Sequence, residues 1–141
     1  MSDFTNNLFH KIIHNEIPSY KLYEDDDFLV ILDKYPAHPG HCLILPKIPA
    51  RDVFELDDRM AAGLYPLAKR VAIAVQAATG CEGINILQNN GPAAGQMIFY
   101  FHLHIIPRVA GDCITIKHES LYSPLDDEIA VQLQSKIAVQ L

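Results

Sequence analysis

Two histidines one residue apart, His102 and His104, follow a glycine-rich stretch in Asn89-Asn90-Gly91-Pro92-Ala93-Ala94-Gly95-Gln96-Met97-Ile98-Phe99-Tyr100-Phe101-His102-Leu103-His104-Ile105-Ile106-Pro107-Arg108. Residues 98–106 are dense in β-branched and aromatic side chains, hold no glycine and end at Pro107, a pattern that predicts a buried strand. Alternation then sets Tyr100, His102 and His104 on one face and Phe99, Phe101, Leu103 and Ile105 on an apolar face ready to meet a core. The two imidazoles emerge about 6.6 Å apart along the strand, close enough for one anion to touch both. Burying two such rings is costly unless each finds a hydrogen-bond partner, so their placement points to a use. One use is metal binding, with a third or fourth ligand from elsewhere. The other is nucleophilic or acid/base work on an anion. The loop favours the second: Gly91, Gly95 and the Ala93-Ala94 pair let backbone amides approach an anion, and Asn89 and Gln96 add neutral donors. No Glu or Cys in the segment completes a metal set. Arg108 suits an added positive charge or a structural salt bridge equally. His10, His14, His38 and His118 have no partners in sequence and are expected in surface or capping roles.

The positioning elements follow from periodicity. Leu8, Phe9, Ile12 and Ile13 have helical spacing within residues 5–15, with Thr5 or Asn6 as cap and Pro18 as stop. Residues 20–24 and 28–32 read as a hairpin around Asp25-Asp26-Asp27, and Asp33 ends its second strand. A loop with Pro36, Pro39 and Gly40 leads into a strand at residues 42–46, which places His41 at its entrance. Met60, Leu64, Leu67, Ala68, Val71, Val75 and Ala78 then form the apolar stripe of a long helix, capped by Asp57, stopped by Gly80 and kinked or broken at Pro66. Residues 83–88 form a strand before the glycine-rich loop. A terminal helix over residues 124–141 is expected to start at a Ser123 cap with Pro124 at its first position, and to carry Ile129, Leu133, Ile137 and Leu141 on one side. The layout is α+β, a mostly antiparallel sheet of about five strands with the long helix on the apolar face of the histidine strand.

At 141 residues the chain has the size of one domain able to bury a core without staples. A net charge of -6 with no basic run argues against a nucleic-acid surface, while leaving room for a small anion held by local donors. Cys42, Cys81 and Cys113 form no paired motif, which fits a reducing compartment. With no secretory leader pattern and no apolar run long enough to span a bilayer, a cytosolic, membrane-free protein is expected.

The segment Gly95-Gln96 followed by Tyr100-Phe101-His102-Leu103-His104-Ile105-Ile106-Pro107-Arg108 resembles the signature of the histidine triad (HIT) family, a His-φ-His-φ-His-φ-φ strand in which φ is apolar. Ile17-Pro18-Ser19-Tyr20-Lys21-Leu22-Tyr23-Glu24-Asp25, Leu32-Asp33, Pro39-Gly40-His41-Cys42-Leu43-Ile44-Leu45-Pro46-Lys47 and Asn85-Ile86-Leu87-Gln88-Asn89-Asn90-Gly91 resemble the family in the same order. The resemblance covers roughly residues 7 to 112 of a single HIT-like domain, with 113–141 as a C-terminal extension. It implies a nucleotide hydrolase or nucleotidyl transferase acting at the α-phosphate of an adenine nucleotide conjugate. His102 matches the nucleophile that forms a nucleotidyl-histidine, His104 the histidine facing phosphate or leaving group, and His41 a further active-site histidine. Asp33 matches the ribose carboxylate, Ile31 the base pocket, and Asn89, Gly95 and Gln96 the phosphate side. The ending Ile105-Ile106-Pro107-Arg108 with Gly111-Asp112 is more similar to dinucleoside polyphosphate hydrolases than to adenosine phosphoramidases, the alternative; a non-catalytic nucleotide-binding protein is a further one. The resemblance also implies a purine nucleotide as ligand and a homodimer.

Tyr100 departs from the pattern, standing where the first triad histidine is expected. The family uses the backbone carbonyl there to help set the nucleophile's tautomer, and a carbonyl survives a side-chain change. Zinc-binding members carry ligands where this chain has Asn7, His10, Pro49 and Tyr100, so the expectation is no structural zinc and no cofactor. Tyr100 is expected to fill that space and bond its hydroxyl locally.

Overall fold

A computed structural model describes residues 3–115 and 126–140. Five strands, β1 (Lys21–Glu24), β2 (Phe28–Leu32), β3 (Cys42–Pro46), β4 (Gly83–Leu87) and β5 (Leu103–Arg108), form one antiparallel sheet in the order β1-β2-β3-β5-β4. The helices are α1 (Leu8–Ile13), α2 (Asp58–Thr79) and α3 (Asp127–Ala138). The fold class is therefore the expected α+β arrangement.

Strand alternation divides the core in two. Phe28 and Val30 of β2, Cys42 and Ile44 of β3, and Leu103 and Ile105 of β5 meet Met60, Leu67, Ala68, Val71 and Val75 of α2. Leu29, Ile31, Leu43 and Leu45 face the other way, where Phe9 and Ile12 of α1 and the ring of Tyr100 cover them. The long helix packs across one face, with a smaller cavity left between Val30 and Leu32 of the sheet and Leu67 and Val71 of the helix. The short one covers only part of the other, and the larger cavity lies in what it leaves open.

Local chemistry sets most boundaries. Asp57 caps α2 by accepting from the amides of Arg59 and Met60, and Gly80 ends it in the left-handed region. Pro66 neither breaks nor divides α2, which runs unbroken over 22 residues; what Pro66 removes is the donor for the Ala62 carbonyl one turn back. The hairpin turn is held by Asp25, whose Oδ1 accepts from the amides of Asp27 and Phe28.

Several expectations are corrected. α1 is capped by Asn7, not Thr5 or Asn6, because Thr5 is already tied to the Asp3 carboxylate. β5 begins at Leu103 rather than Ile98: Pro46 has no N–H to extend the β3 ladder past Ile44↔Leu103, and the Phe101 amide donates instead to the Ala50 carbonyl at 2.7 Å. Phe99 consequently sits half exposed instead of joining the apolar face. Pro107 lies inside β5 rather than closing it, in the part that only β4 accompanies. α3 starts at an Asp126 cap, and its Ile129, Leu133 and Ile137 remain exposed. Ser123, Pro124 and Leu141 lie outside the described residues. Among the described residues, no helix is long and apolar enough to cross a membrane.

Gly40 makes the chain's approach to His41 possible, with φ at +98° and an ideal Cβ only 2.7 Å from Thr79 Cγ2. Gly40→Ala is expected to lower stability by about 1–2 kcal/mol in a denaturant titration, through left-handed strain and this clash.

Candidate active site

His102 sits just ahead of β5, where the irregular backbone folds its ring back on the chain: Nδ1 lies 2.6 Å from the Tyr100 carbonyl oxygen. A carbonyl only accepts, so Nδ1 carries the proton and Nε2 keeps its lone pair. Phe9 of α1 packs edge-on against this ring at 4.9 Å between centroids. His104, inside β5, is fixed in the opposite sense. The Ala37 amide donates to Nδ1 of His41 at 3.0 Å, which leaves the His41 proton on Nε2. That Nε2 lies 2.9 Å from Nδ1 of His104, which accepts, so the His104 proton is on its own Nε2. The site thus pairs a ring with an open lone pair and a ring with an open N–H, their centroids 4.8 Å apart.

Burial pushes the imidazole of His104 down to about 4, helped by the neighbouring rings of His102 and His41. Burial also lowers His41, opposed by the Asp33 carboxylate, and lowers His102, opposed by the Tyr100 carbonyl and by Asp33. All three rings are neutral at pH 7. Asp33 lies at the end of β2 with Oδ2 3.6 Å from His41 Nε2, while its Oδ1 accepts from the Tyr35 amide.

These groups open into a cavity of about 970 Å³ to which Ile31, Asp33, His41, Asn89, Gly95, His102 and His104 all contribute. Of the residues expected at the site, Gln96 is the exception. It is buried and braces the loop: its Oε1 accepts from the Gly91 amide, and its Nε2 donates to the carbonyls of Arg51 and Ile98. The glycine-rich loop is likewise not an open cradle of amides. A tight turn at Pro92–Ala94 closes it, so the Ala94 and Gln96 amides bond to the Gly91 carbonyl and the Gly95 amide to that of Pro92. The next amides, of Met97 and Ile98, make no hydrogen bond among the described residues, and both residues line the cavity. Composition could not single them out, because loop closure decides which amides are spent. Sequence reasoning also missed the α1 wall, Leu8, Phe9 and Ile12. The spacing that makes α1 amphipathic was visible; what it faces was not.

Arg108 is structural. Its guanidinium makes paired bonds to Asp112 at 2.7 and 2.8 Å and one to Asn85 at 2.6 Å, holding the Asp112 carboxyl well below the usual range.

Asp33, His41 and His104 have ligand-type atoms within 4.8 Å of one another, as a metal site would need. The Ala37 amide opposes that use, because it occupies Nδ1 of His41 and so keeps the proton on the Nε2 that would have to bind. The positions that correspond to zinc ligands do not fit one either. The Asn7 side chain caps α1, Pro49 offers no donor atom, and the Tyr100 hydroxyl donates to the Pro46 carbonyl at 2.6 Å, leaving His10 alone. Tyr100 is fully buried, packs edge-on against Phe4 and Phe9, and has its phenol pushed well above the ordinary range by burial.

A model of the HIT domain matches residues 14–111. The chain belongs to the HIT family. It is 45% identical over 107 residues to an Arabidopsis thaliana protein named as an adenylylsulfatase, covering 76% of this chain and 54% of that longer one. A Schizosaccharomyces pombe protein named as an adenosine 5'-monophosphoramidase is 42% identical over 101 residues, 72% of this chain and 73% of its own. The crystal structure of a HIT family protein from Bacillus anthracis superposes with a TM-score of 0.90 at 34% identity, covering 97% of this chain and 98% of that one.

Only the carbonyl of residue 100 touches His102, whereas its hydroxyl serves the fold. Tyr100→Phe should therefore lose about 1–2 kcal/mol of stability, from the orphaned Pro46 carbonyl, with turnover essentially unchanged. Thermal unfolding and a rate assay on the same preparation check both halves.

Proposed function

We propose that this HIT protein is a hydrolase or nucleotidyl transferase that attacks the α-phosphorus of an adenine nucleotide conjugate with Nε2 of His102. The observation that carries the proposal is the opposed tautomers of His102 and His104, one ring ready to give an electron pair and the other a hydrogen bond. In the first step the Nε2–P bond forms and the bond from phosphorus to the leaving group breaks. The Nε2–H of His104, with Asn89 and the Met97 and Ile98 amides, steadies the charge on the phosphoryl oxygens and the departing atom. An anionic phosphate against these neutral rings also draws a proton toward His104, which suits it to protonate the leaving group. Water then attacks phosphorus and passes a proton back to His104 while the Nε2–P bond breaks, which returns His102 to its neutral form and releases the nucleoside monophosphate. Asp33, beside His41, has acceptor capacity left for ribose hydroxyls.

The wall composition bears on the leaving group. Among the described residues, Lys34 is the single Lys or Arg lining the cavity, and the Asp33 carboxylate stands next to it in the chain. A long polyphosphate chain would meet little compensating charge, so a conjugate with one phosphoryl group, a phosphoramidate or similar, fits better than a dinucleoside polyphosphate. The two relatives named for adenylyl sulfate and adenosine monophosphoramidate chemistry support that preference.

Purified protein should release AMP from an adenosine phosphoramidate faster than from a dinucleoside polyphosphate, and His102→Ala should lower the rate by about a thousand-fold or more while still binding AMP. Binding without AMP release by the wild type would sink the enzymatic proposal. The pH profile gives a separate check. Because the imidazole of His102 is held below its ordinary value of 6.5, the acid limb of kcat/KM should fall below pH 6.5, and activity should be flat from there to neutrality.

A further inference from the structure

Leu8, Ile12, Ile17, Pro18, Ser19 and Ile31 line the cavity together with the groups already placed at the site. Among these six the polar side chain is that of Ser19, whose Oγ is shielded from solvent with no hydrogen-bond partner among the described residues. Such a hydroxyl is unfavourable where it stands, since burying it without a partner forfeits its hydration. Nothing in the fold requires it: an alanine would serve the wall equally well.

Its location is set by the sheet. The Leu32 amide donates to the Tyr20 carbonyl at 2.9 Å, which carries the β1–β2 pairing one step past Lys21↔Ile31 and puts Ser19 beside Asp33. The order β5-β3-β2-β1 places this edge three strand spacings, about 14 Å, from the strand bearing His104. A nucleotide with its phosphorus at His102 and its ribose at Asp33 extends its base across that width. The polar edge of the base then meets the apolar side chains of Leu8, Ile12, Ile17 and Ile31, and it too needs a partner.

We propose that Ser19 determines base binding in this protein, its hydroxyl pairing with the hydrogen-bonding edge of a purine. The inference rests on the nucleotide-conjugate function above. With no hydrogen bond to a described residue holding the hydroxyl, rotation about χ1 turns it toward the ligand, and one buried unsatisfied group on each side is removed at once. Serine can donate or accept, so both adenine and guanine are served, while a base-free sugar phosphate gains nothing from it.

Calorimetric titration of wild type and Ser19→Ala with AMP and with ribose 5-phosphate, beside a melting curve of each free protein, tests this. The variant should bind AMP about three- to ten-fold more weakly, as expected for one hydrogen bond, and bind ribose 5-phosphate as the wild type does. It should melt no lower than the wild type, because the group removed was unsatisfied. Unchanged AMP affinity in the variant overturns the inference, as does an equal loss for both ligands or a lowered melting temperature. Failure of the wild type itself to bind AMP overturns the nucleotide-conjugate function, and the role of Ser19 with it.

Discussion

Everything the site can do depends on where two protons sit, and backbone groups decide both. The Tyr100 carbonyl holds the His102 proton on Nδ1, while the Ala37 amide, acting through His41, holds the His104 proton on Nε2. The first constraint comes from a backbone group alone, whereas the second passes through His41 and so holds while that ring is neutral. The burial that lowers all three imidazoles completes the arrangement, keeping the rings neutral so that lone pair and N–H are both present at pH 7.

The two-faced sheet makes this affordable in energetic terms. α2 supplies an apolar cover for the centre of one face, where Met60, Ala68, Ile44 and Ile105 are essentially inaccessible. The opposite face can then leave a cavity open without losing the core. α1, only six residues long, reaches from Tyr100 to the cavity wall through Phe9, which touches the rings of both Tyr100 and His102. The packing that anchors the N-terminal segment is thus also the packing that orients the candidate nucleophile.

Elements with local determinants could be read directly from the chain. β2 and β3 are uninterrupted apolar runs, and α2 has its stripe, its Asp57 cap and its Gly80 stop, so pattern and outcome agree nearly to the residue. Elements decided by distant partners could not. The start of β5 depends on a proline in β3 and on a carbonyl at Ala50, and the loop amides depend on how Gly91 and Pro92 close a turn. The site shows the same division. His102 and His104 stood out by pattern, whereas Asp33 and His41 were suggested only by family resemblance, and the 2.9 Å approach of His41 to His104, 63 residues further along the chain, has no local signature. Gln96 shows the reverse error: an amide that looks free in sequence is consumed by backbone in the fold.

Tyr100 shows how a catalytic position can drift. Its backbone carbonyl and its side chain answer to different demands, the first to His102 and the second to Pro46, Phe4 and Phe9. Because the carbonyl alone meets His102, the side chain at position 100 is left to serve the packing of the N-terminal segment. A tyrosine in place of the first histidine then bears on how the fold is held together, and gives no ground by itself for inferring that the two remaining histidines are idle.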